Sequence, residues 1–270
     1  GTRRICAQGI RSLMLLRRVR KHVASENWFA VCVDFVIVVV GVYVGIEVSN
    51  WNEARQEEVR AEEYLERIRD DLVNDQTSLA QKRTFWASVI EYGEAAITHA
   101  ETGELYQGSM EKTVLAYFQA SQVDPYASVS TTYDEMKAAG ELGLIRDGEL
   151  RTKLANYYVY SNSLQAEHLF QYMPRYREYV RGVMPLVVQR FVWEECHSTI
   201  GNQQFMADCE LPIDPDTGLA LLERLGSDVD IADSLRFWIT NLTVSSKLID
   251  DNFGLTDELL GYVDRSLGQN

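Results

Sequence analysis

Basic residues are scarce in this 270-residue sequence. It has 26 Lys and Arg residues against 40 Asp and Glu residues, which gives a formal net charge of −14 at pH 7. A protein that binds nucleic acid through its whole length presents an excess of basic side chains to the phosphates. We therefore expect no nucleic-acid partner.

Recognisable catalytic motifs are absent as well. The sequence contains no G-x-S-x-G elbow, Walker loop, dinucleotide fingerprint or H-E-x-x-H zinc motif. Its four histidines, at positions 22, 99, 168 and 197, are scattered along the chain. We expect a protein without enzymatic activity and without a cofactor.

Long hydrophobic runs are limited to one. The stretch from Trp28 to Val48 is long enough to cross a hydrocarbon core of about 30 Å as a helix. A second apolar stretch, 183–193, is too short and is interrupted by Pro185 and Arg190, so we interpret it as a core helix. The sequence therefore predicts a single transmembrane helix over residues 28–50.

Charge is distributed unevenly around this helix. Residues 1–27 carry seven basic side chains and one acidic side chain, whereas residues 28–270 carry 19 basic and 39 acidic side chains. The positive-inside rule places residues 1–27 in the cytoplasm. The residues after the apolar run, Asn50 to Glu53, do not resemble a cleavage site, which predicts an uncleaved signal anchor. Trp28 and Trp51 are expected to anchor the helix at the two membrane interfaces.

Cysteine is scarce on the predicted outer side, where only Cys196 and Cys209 occur. A disulfide between them would fit an oxidising periplasm, and two free buried thiols are the alternative. Glu194 and His197 lie nearby in the sequence, but their spacing matches no zinc pattern. We predict no metal site.

Proline is absent from residues 51–100, which are rich in Glu, Arg, Ala and Leu. This segment can continue the membrane helix as a stalk or as the first helix of a bundle. Its apolar residues recur at nearly heptad spacing: Leu65, Ile68, Leu72, Leu79, Trp86 and Val89. Asp75 and Lys82 interrupt this seam. A helix packed inside its own chain's bundle is therefore favoured over a self-associating coiled coil, which stays the alternative.

Residues 101–270 show helix-start signals and no strand alternation of useful length. The signals are Thr132 with Glu135, Asp147, Asp214 with Pro215, and Ser227 with Asp230. The helical stretches run from 147 to about 192, with bends or breaks expected at Pro174 and Pro185, and from 228 to about 265. Loops are expected at 105–110, 122–130 and 198–214. The pattern predicts an all-α fold with a periplasmic helical bundle over 101–270.

The predicted membrane helix carries a polar and small-residue stripe. At about 100° per residue, Asp34, Gly41, Gly45 and Asn52 fall on one face. The G-x-x-x-G spacing of the two glycines lets another helix backbone approach closely. A carboxylate such as Asp34 inside the membrane requires a partner or a function. We expect this face to dock on another transmembrane helix, either in a homo-oligomer or in a membrane complex. The alternative is a protonated Asp34 with incidental glycines.

A family resemblance emerges from the motifs around this helix. The sequence resembles an uncharacterised bacterial family of single-span inner-membrane proteins over roughly its first 145 residues. The resemblance is carried by the segments 26–29, 33–35, 50–53 (Asn-Trp-Asn-Glu), 132–136 and 140–145. It implies a bacterial inner-membrane protein with a helical periplasmic domain, and it brings no known activity or site residues.

Four functions compete on this evidence. We favour an accessory or assembly subunit of a membrane complex, docked through the Asp34, Gly41 and Gly45 face. An ion-driven stator-like subunit is the first alternative, because Val33-Asp34-Phe35 is similar to the surroundings of the proton-carrying Asp in flagellar-motor and energy-transducing stators. A periplasmic ligand-binding sensor module is the second. An enzyme is the least supported.

Overall fold

The computed structural model describes residues 28–163, 175–201 and 203–268. The predicted cytoplasmic segment 1–27 and the predicted helix break at Pro174 lie outside the described residues. The chain forms two compact units, Gly1–Arg60 and Ala61–Asn270. The fold is all-α, as predicted, with one small hairpin in the described part of the chain.

Eight α-helices and two strands make up the described residues. The helices are α1 (Trp28–Thr102), α2 (Met110–Gln119), α3 (Thr131–Ala139), α4 (Gly148–Ser163), α5 (Arg175–Val183), α6 (Leu186–Glu195), α7 (Pro215–Gly226) and α8 (Val229–Ser266). Strands β1 (His197–Ile200) and β2 (Gln203–Met206) lie between α6 and α7. Short 3₁₀ turns lie at Tyr106–Gly108 and Leu142–Leu144.

Helix α8 runs antiparallel to the part of α1 that lies in the second unit. Three polar contacts at seven-residue spacing join the two helices: Arg69 to Asp264 (2.7 Å), Gln76 to Asp257 (3.3 Å) and Arg83 to Asp250 (2.8 Å). The heptad seam of α1 faces inward, and all six of its apolar side chains are buried. The seam is therefore satisfied inside the chain.

Two apolar cores lie along this helix pair. One contains Leu65, Ile68 and Leu72 of α1 with side chains of α3, α4 and the end of α8. The other contains Leu79, Trp86 and Val89 with side chains of α2, α5, α6, α7 and the first half of α8. Because both cores share α1 and α8, these two helices form the framework of the second unit.

Helix capping follows the sequence at two of the four predicted starts. Asp147 accepts hydrogen bonds from the backbone N–H groups of Glu149 and Leu150, and Asp214 accepts one from Thr217. At the other two starts, the N-cap residue differs from the predicted one. The N-cap of α3 is Ser130 rather than Thr132, which is buried. The N-cap of α8 is Asp228, not Ser227, because its carboxylate accepts from the N–H of Ile231.

The segment predicted as a loop at 198–214 contains an antiparallel hairpin instead. His197 pairs with Met206, and Ile200 pairs with Gln203. Strands of four residues are too short to show alternation in the sequence, so this element had no readable signal. Pro185 ends the preceding helix as predicted: it stands at the N-cap of α6, two residues after α5 ends.

Candidate functional site: an exposed apolar helix face and a buried polar cluster

The N-terminal part of α1 is apolar and exposed. Every described side chain from position 28 to 60 lies on the surface. Within the described residues, one helix is long and apolar enough to cross a membrane, judged by length and composition. Contiguous apolar surface of this extent is typical of a membrane or protein contact.

The predicted stripe lies on one face of this helix. Asp34, Gly41, Gly45 and Asn52 all belong to the uninterrupted helix α1, so their spacing keeps them within about 40° of one another. At 1.5 Å per residue the stripe is about 27 Å long, close to the hydrocarbon thickness of a bilayer. Trp28 and Trp51 are 69% and 65% exposed near its two ends.

The glycines of α1 fall into two kinds. A Cβ atom at Gly93 would clash with the side chain of Ile239 on α8, so packing inside the chain explains that glycine. A Cβ atom at Gly41 or Gly45 would meet nothing within 4 Å among the described residues. Glycine in a helix interior costs about 1 kcal/mol relative to alanine. The described fold therefore contains no reason for Gly41 and Gly45.

The two cysteines of the second unit are joined. A disulfide links Cys196, at the C-terminal end of α6, to Cys209, which follows the hairpin. The hairpin between them is also held by the N–H of Ala207, which donates to the carbonyl oxygen of Cys196 at 2.8 Å. The bridge thus closes a loop around β1 and β2, joining two cysteines 13 positions apart.

A buried chain segment connects α2 to α3 and needs polar partners. Most of residues 120–126 are buried, and buried carbonyl groups must be hydrogen-bonded. The indole N–H of Trp86 donates to the carbonyl of Asp124 (3.0 Å), and that of Trp238 donates to the carbonyl of Ala120 (2.9 Å). Arg177 of α5 donates to the carbonyl of Ser121. Side chains of three helices therefore hold this segment.

Lys82 and Asp75, the two residues that interrupt the heptad seam, bind the same segment. The ammonium group of Lys82 forms an ion pair with Asp124, and both side chains are less than 10% exposed. Asp124 also accepts a hydrogen bond from the amide of Gln204 in β2, at 3.1 Å. One carboxylate therefore ties the segment to α1 and to the hairpin.

Asp75 is the centre of a buried polar cluster. Its carboxylate accepts hydrogen bonds from the N–H of Val129 and from the hydroxyl of Tyr157, each at 2.8 Å. The Tyr157 hydroxyl also lies 3.1 Å from that of Tyr126 and accepts from Thr256 at 3.2 Å. Burial raises the pKa of Asp75 to about 6, because it penalises the charged form more than these hydrogen bonds favour it. The cluster joins α1, α4 and α8.

Sequence reasoning missed this cluster. The signal was present, since Asp75 was recognised as a polar residue at a position that should be apolar. Its partners Tyr126, Tyr157 and Thr256 lie 51 to 181 positions away in the chain, so their convergence is not readable from the sequence. Across the ranges that the structure describes, no group of three or more His, Cys, Asp or Glu side chains could hold a metal ion.

Comparison with known proteins adds one finding. No curated protein and no solved structure matches the chain. Over residues 34–161, the chain is similar to a family of unknown function, DUF6090. This range includes the stripe of Asp34, Gly41, Gly45 and Asn52, and every residue of the Asp75 cluster except Thr256.

Proposed function

We propose that the chain is a single-span inner-membrane protein that acts, without enzymatic activity, as an accessory or assembly subunit of a membrane protein complex. It docks on another transmembrane helix through the face formed by Asp34, Gly41 and Gly45. The observation that carries this proposal is the pair of glycines with no partner inside the described fold. Small residues at four-residue spacing are typical of helix contacts in lipid, where backbones must approach closely.

Asp34 adds a polar contact to this proposed interface. It lies two turns from Gly41 on the same face, at a depth where an ionised carboxylate is costly. A hydrogen bond or an ion pair to the docked helix would remove that cost. The partner is therefore expected to offer a polar or basic side chain at the matching depth.

The experiment for this proposal is extraction of the tagged full chain in a gentle detergent at native expression, followed by native size analysis and mass spectrometry. We expect a defined heteromeric complex for the wild type and its loss in the Gly41→Leu/Gly45→Leu variant, because two leucines prevent close approach of the helices. The control is Val36→Leu/Val39→Leu, which places the same two leucine side chains on the opposite face of the same helix and should leave the complex intact.

Two outcomes would contradict the proposal. One is a lone monomer or a self-dimer that the glycine substitutions do not change. The other is loss of the complex to the same extent in the control.

Asp34→Asn separates docking from ion transfer, since an amide still forms hydrogen bonds but cannot carry a proton. Docking predicts that this variant keeps the complex, whereas a stator-like subunit would lose all function.

The proposed orientation puts residues 1–27 in the cytoplasm and the second unit in the periplasm. The basic residues before α1 support this orientation, and so does the Cys196–Cys209 disulfide, because such bonds persist in oxidising compartments.

Alkylation of thiols in cells tests the orientation. Intact cells are treated with N-ethylmaleimide, and the denatured, reduced protein is then labelled with PEG-maleimide. We expect the wild type to take two more labels than the Cys196→Ser/Cys209→Ser variant, because the disulfide protects Cys196 and Cys209 from the first reagent, whereas Cys6 and Cys32 are common to both proteins. Absence of this difference would contradict the periplasmic assignment.

A further inference from the structure

Two arginines of α5 converge on the buried connection between α2 and α3. Arg177 donates a hydrogen bond to the carbonyl oxygen of Ser121, and Nε of Arg181 donates to the hydroxyl of the same serine at 3.2 Å. A second nitrogen of Arg181 donates to the side-chain oxygen of Gln122 at 3.0 Å. Both arginines are partly buried. Because both guanidinium groups contact one residue, two positive charges lie close together.

These two charges have no counter-ion among the described residues. Asp124, in the same connection, is already paired with Lys82, and Glu178, the one acidic residue of α5, is exposed and forms no ion pair in the described ranges. Burial lowers the pKa of Arg177, and burial together with the charge of Arg177 lowers the pKa of Arg181 to about 10, whereas no carboxylate raises either pKa. Charges taken out of water are ordinarily paired, so a bound anion would relieve both the repulsion and the cost of burial.

The two guanidinium groups are held in place and keep free hydrogen-bond donors. The guanidinium carbon of Arg181 lies 5.0 Å from the ring centre of Phe118 and 5.5 Å from that of Trp193. A guanidinium group offers five N–H donors in a planar fork, and the hydrogen bonds above use one donor of Arg177 and two of Arg181. Donors therefore remain on both arginines for an acceptor that comes from outside the chain.

We propose that Arg177 and Arg181 together bind a divalent oxyanion of the phosphate type. One phosphate monoester group balances both positive charges, whereas a single carboxylate balances only one of them. The planar fork of arginine matches the spacing of phosphate oxygens, and partial burial strengthens the attraction. The group can belong to a soluble phosphate compound or to the headgroup of a phosphomonoester lipid. The site lies in the second unit and does not depend on the docking proposed for Gly41 and Gly45.

The test uses the full chain in a phosphate-free, non-ionic detergent at pH 8, where inorganic phosphate is mainly divalent. Binding of inorganic phosphate is measured from its relaxation in phosphorus NMR at constant ionic strength, with the signal of empty micelles subtracted. We expect faster relaxation with the wild type, and we expect sulfate to displace the phosphate at a concentration at least tenfold lower than acetate does. No effect beyond that of empty micelles, or equal displacement by acetate, would overturn the proposal.

Substitutions show whether the two arginines form the site. Arg181→Gln should weaken phosphate binding at least tenfold, because it removes a charge and its charge-assisted hydrogen bonds. Arg181→Lys keeps the charge without the planar fork, so its affinity should lie between those of the wild type and of Arg181→Gln. The control is Arg146→Gln, which removes an exposed arginine elsewhere in the second unit and should bind like the wild type.

Circular dichroism of each variant confirms that the helices are retained. Unchanged binding by Arg181→Gln, or an equal loss in Arg146→Gln, would overturn the proposal, since either result would mean that phosphate binds to the general charge of the surface. Gly41→Leu/Gly45→Leu should leave phosphate binding unchanged, so failure of the docking proposal is distinguishable from failure of this one.

The source of the phosphate group is tested in nanodiscs. Nanodiscs that contain phosphatidic acid, a phosphomonoester lipid, are compared with nanodiscs that contain phosphatidylglycerol, whose headgroup is a phosphodiester. If the lipid supplies the group, phosphatidic acid should abolish the binding of inorganic phosphate and phosphatidylglycerol should not. Equal binding of inorganic phosphate in the two kinds of nanodisc would support a soluble phosphate compound as the ligand.

Discussion

Replacing Lys82 by methionine is expected to destabilise the second compact unit by about 3–5 kcal/mol. The substitution keeps most of the side-chain volume but removes the ammonium group that pairs with Asp124. Asp124 would then lack its counter-ion at 6% side-chain exposure, with the amide of Gln204 as its remaining side-chain partner among the described contacts. A buried charge that loses its counter-ion pays its full desolvation cost. The measurement is the free energy of unfolding of the full chain in a non-ionic detergent, from urea denaturation monitored by circular dichroism.

The adjacent residue provides the control for this prediction. Arg83 forms an ion pair with Asp250 at 2.8 Å, but the two side chains are 60% and 46% exposed. Exposed pairs contribute little, so Arg83→Met should change the free energy of unfolding by less than about 1 kcal/mol. Similar losses for the two variants would show that burial does not determine the strength of the Lys82 pair.

Asp75→Asn is expected to stabilise the chain at pH 8 by up to about 3 kcal/mol. The pKa of Asp75 is raised from 3.8 to about 6 in the folded protein, and each pKa unit corresponds to about 1.4 kcal/mol. The folded state therefore binds the proton more tightly than the unfolded state. This contribution is fully present below about pH 4 and is lost as pH rises to about 6 and above. An amide stays neutral at every pH, and the surrounding hydroxyls can donate to it or accept from it.

The measurement is the free energy of unfolding of the wild type and the variant between pH 4 and pH 8. The difference between the two proteins should grow across the interval from about pH 4 to about pH 6 and then stay constant. Asp70→Asn, which changes an exposed carboxylate on the same helix, should leave the pH dependence of the wild type nearly unchanged. A difference for Asp75→Asn that does not vary with pH would contradict the assignment of a raised pKa.

Local sequence determined the helices of this protein. The absence of proline between 51 and 100 allowed α1 to continue from Trp28 to Thr102, and Asp147 and Asp214 stand at helix starts because their carboxylates accept backbone N–H groups. The apolar run at 28–48 and the stripe with Gly41 and Gly45 are also properties of one helix. Such features depend on residues within a few turns of one another, so the sequence alone is sufficient to predict them.

Tertiary structure decided what the seam of α1 packs against and why it is interrupted. A heptad pattern is compatible with a second copy of the chain or with another helix of the same chain, and the seven-residue contacts to α8 select the latter. Asp75 and Lys82 looked like defects in that seam. They stand where the buried connection between α2 and α3 crosses α1, and its backbone and Asp124 require polar partners there. Which distant segment a side chain meets depends on the whole chain folding, and no local pattern encodes it.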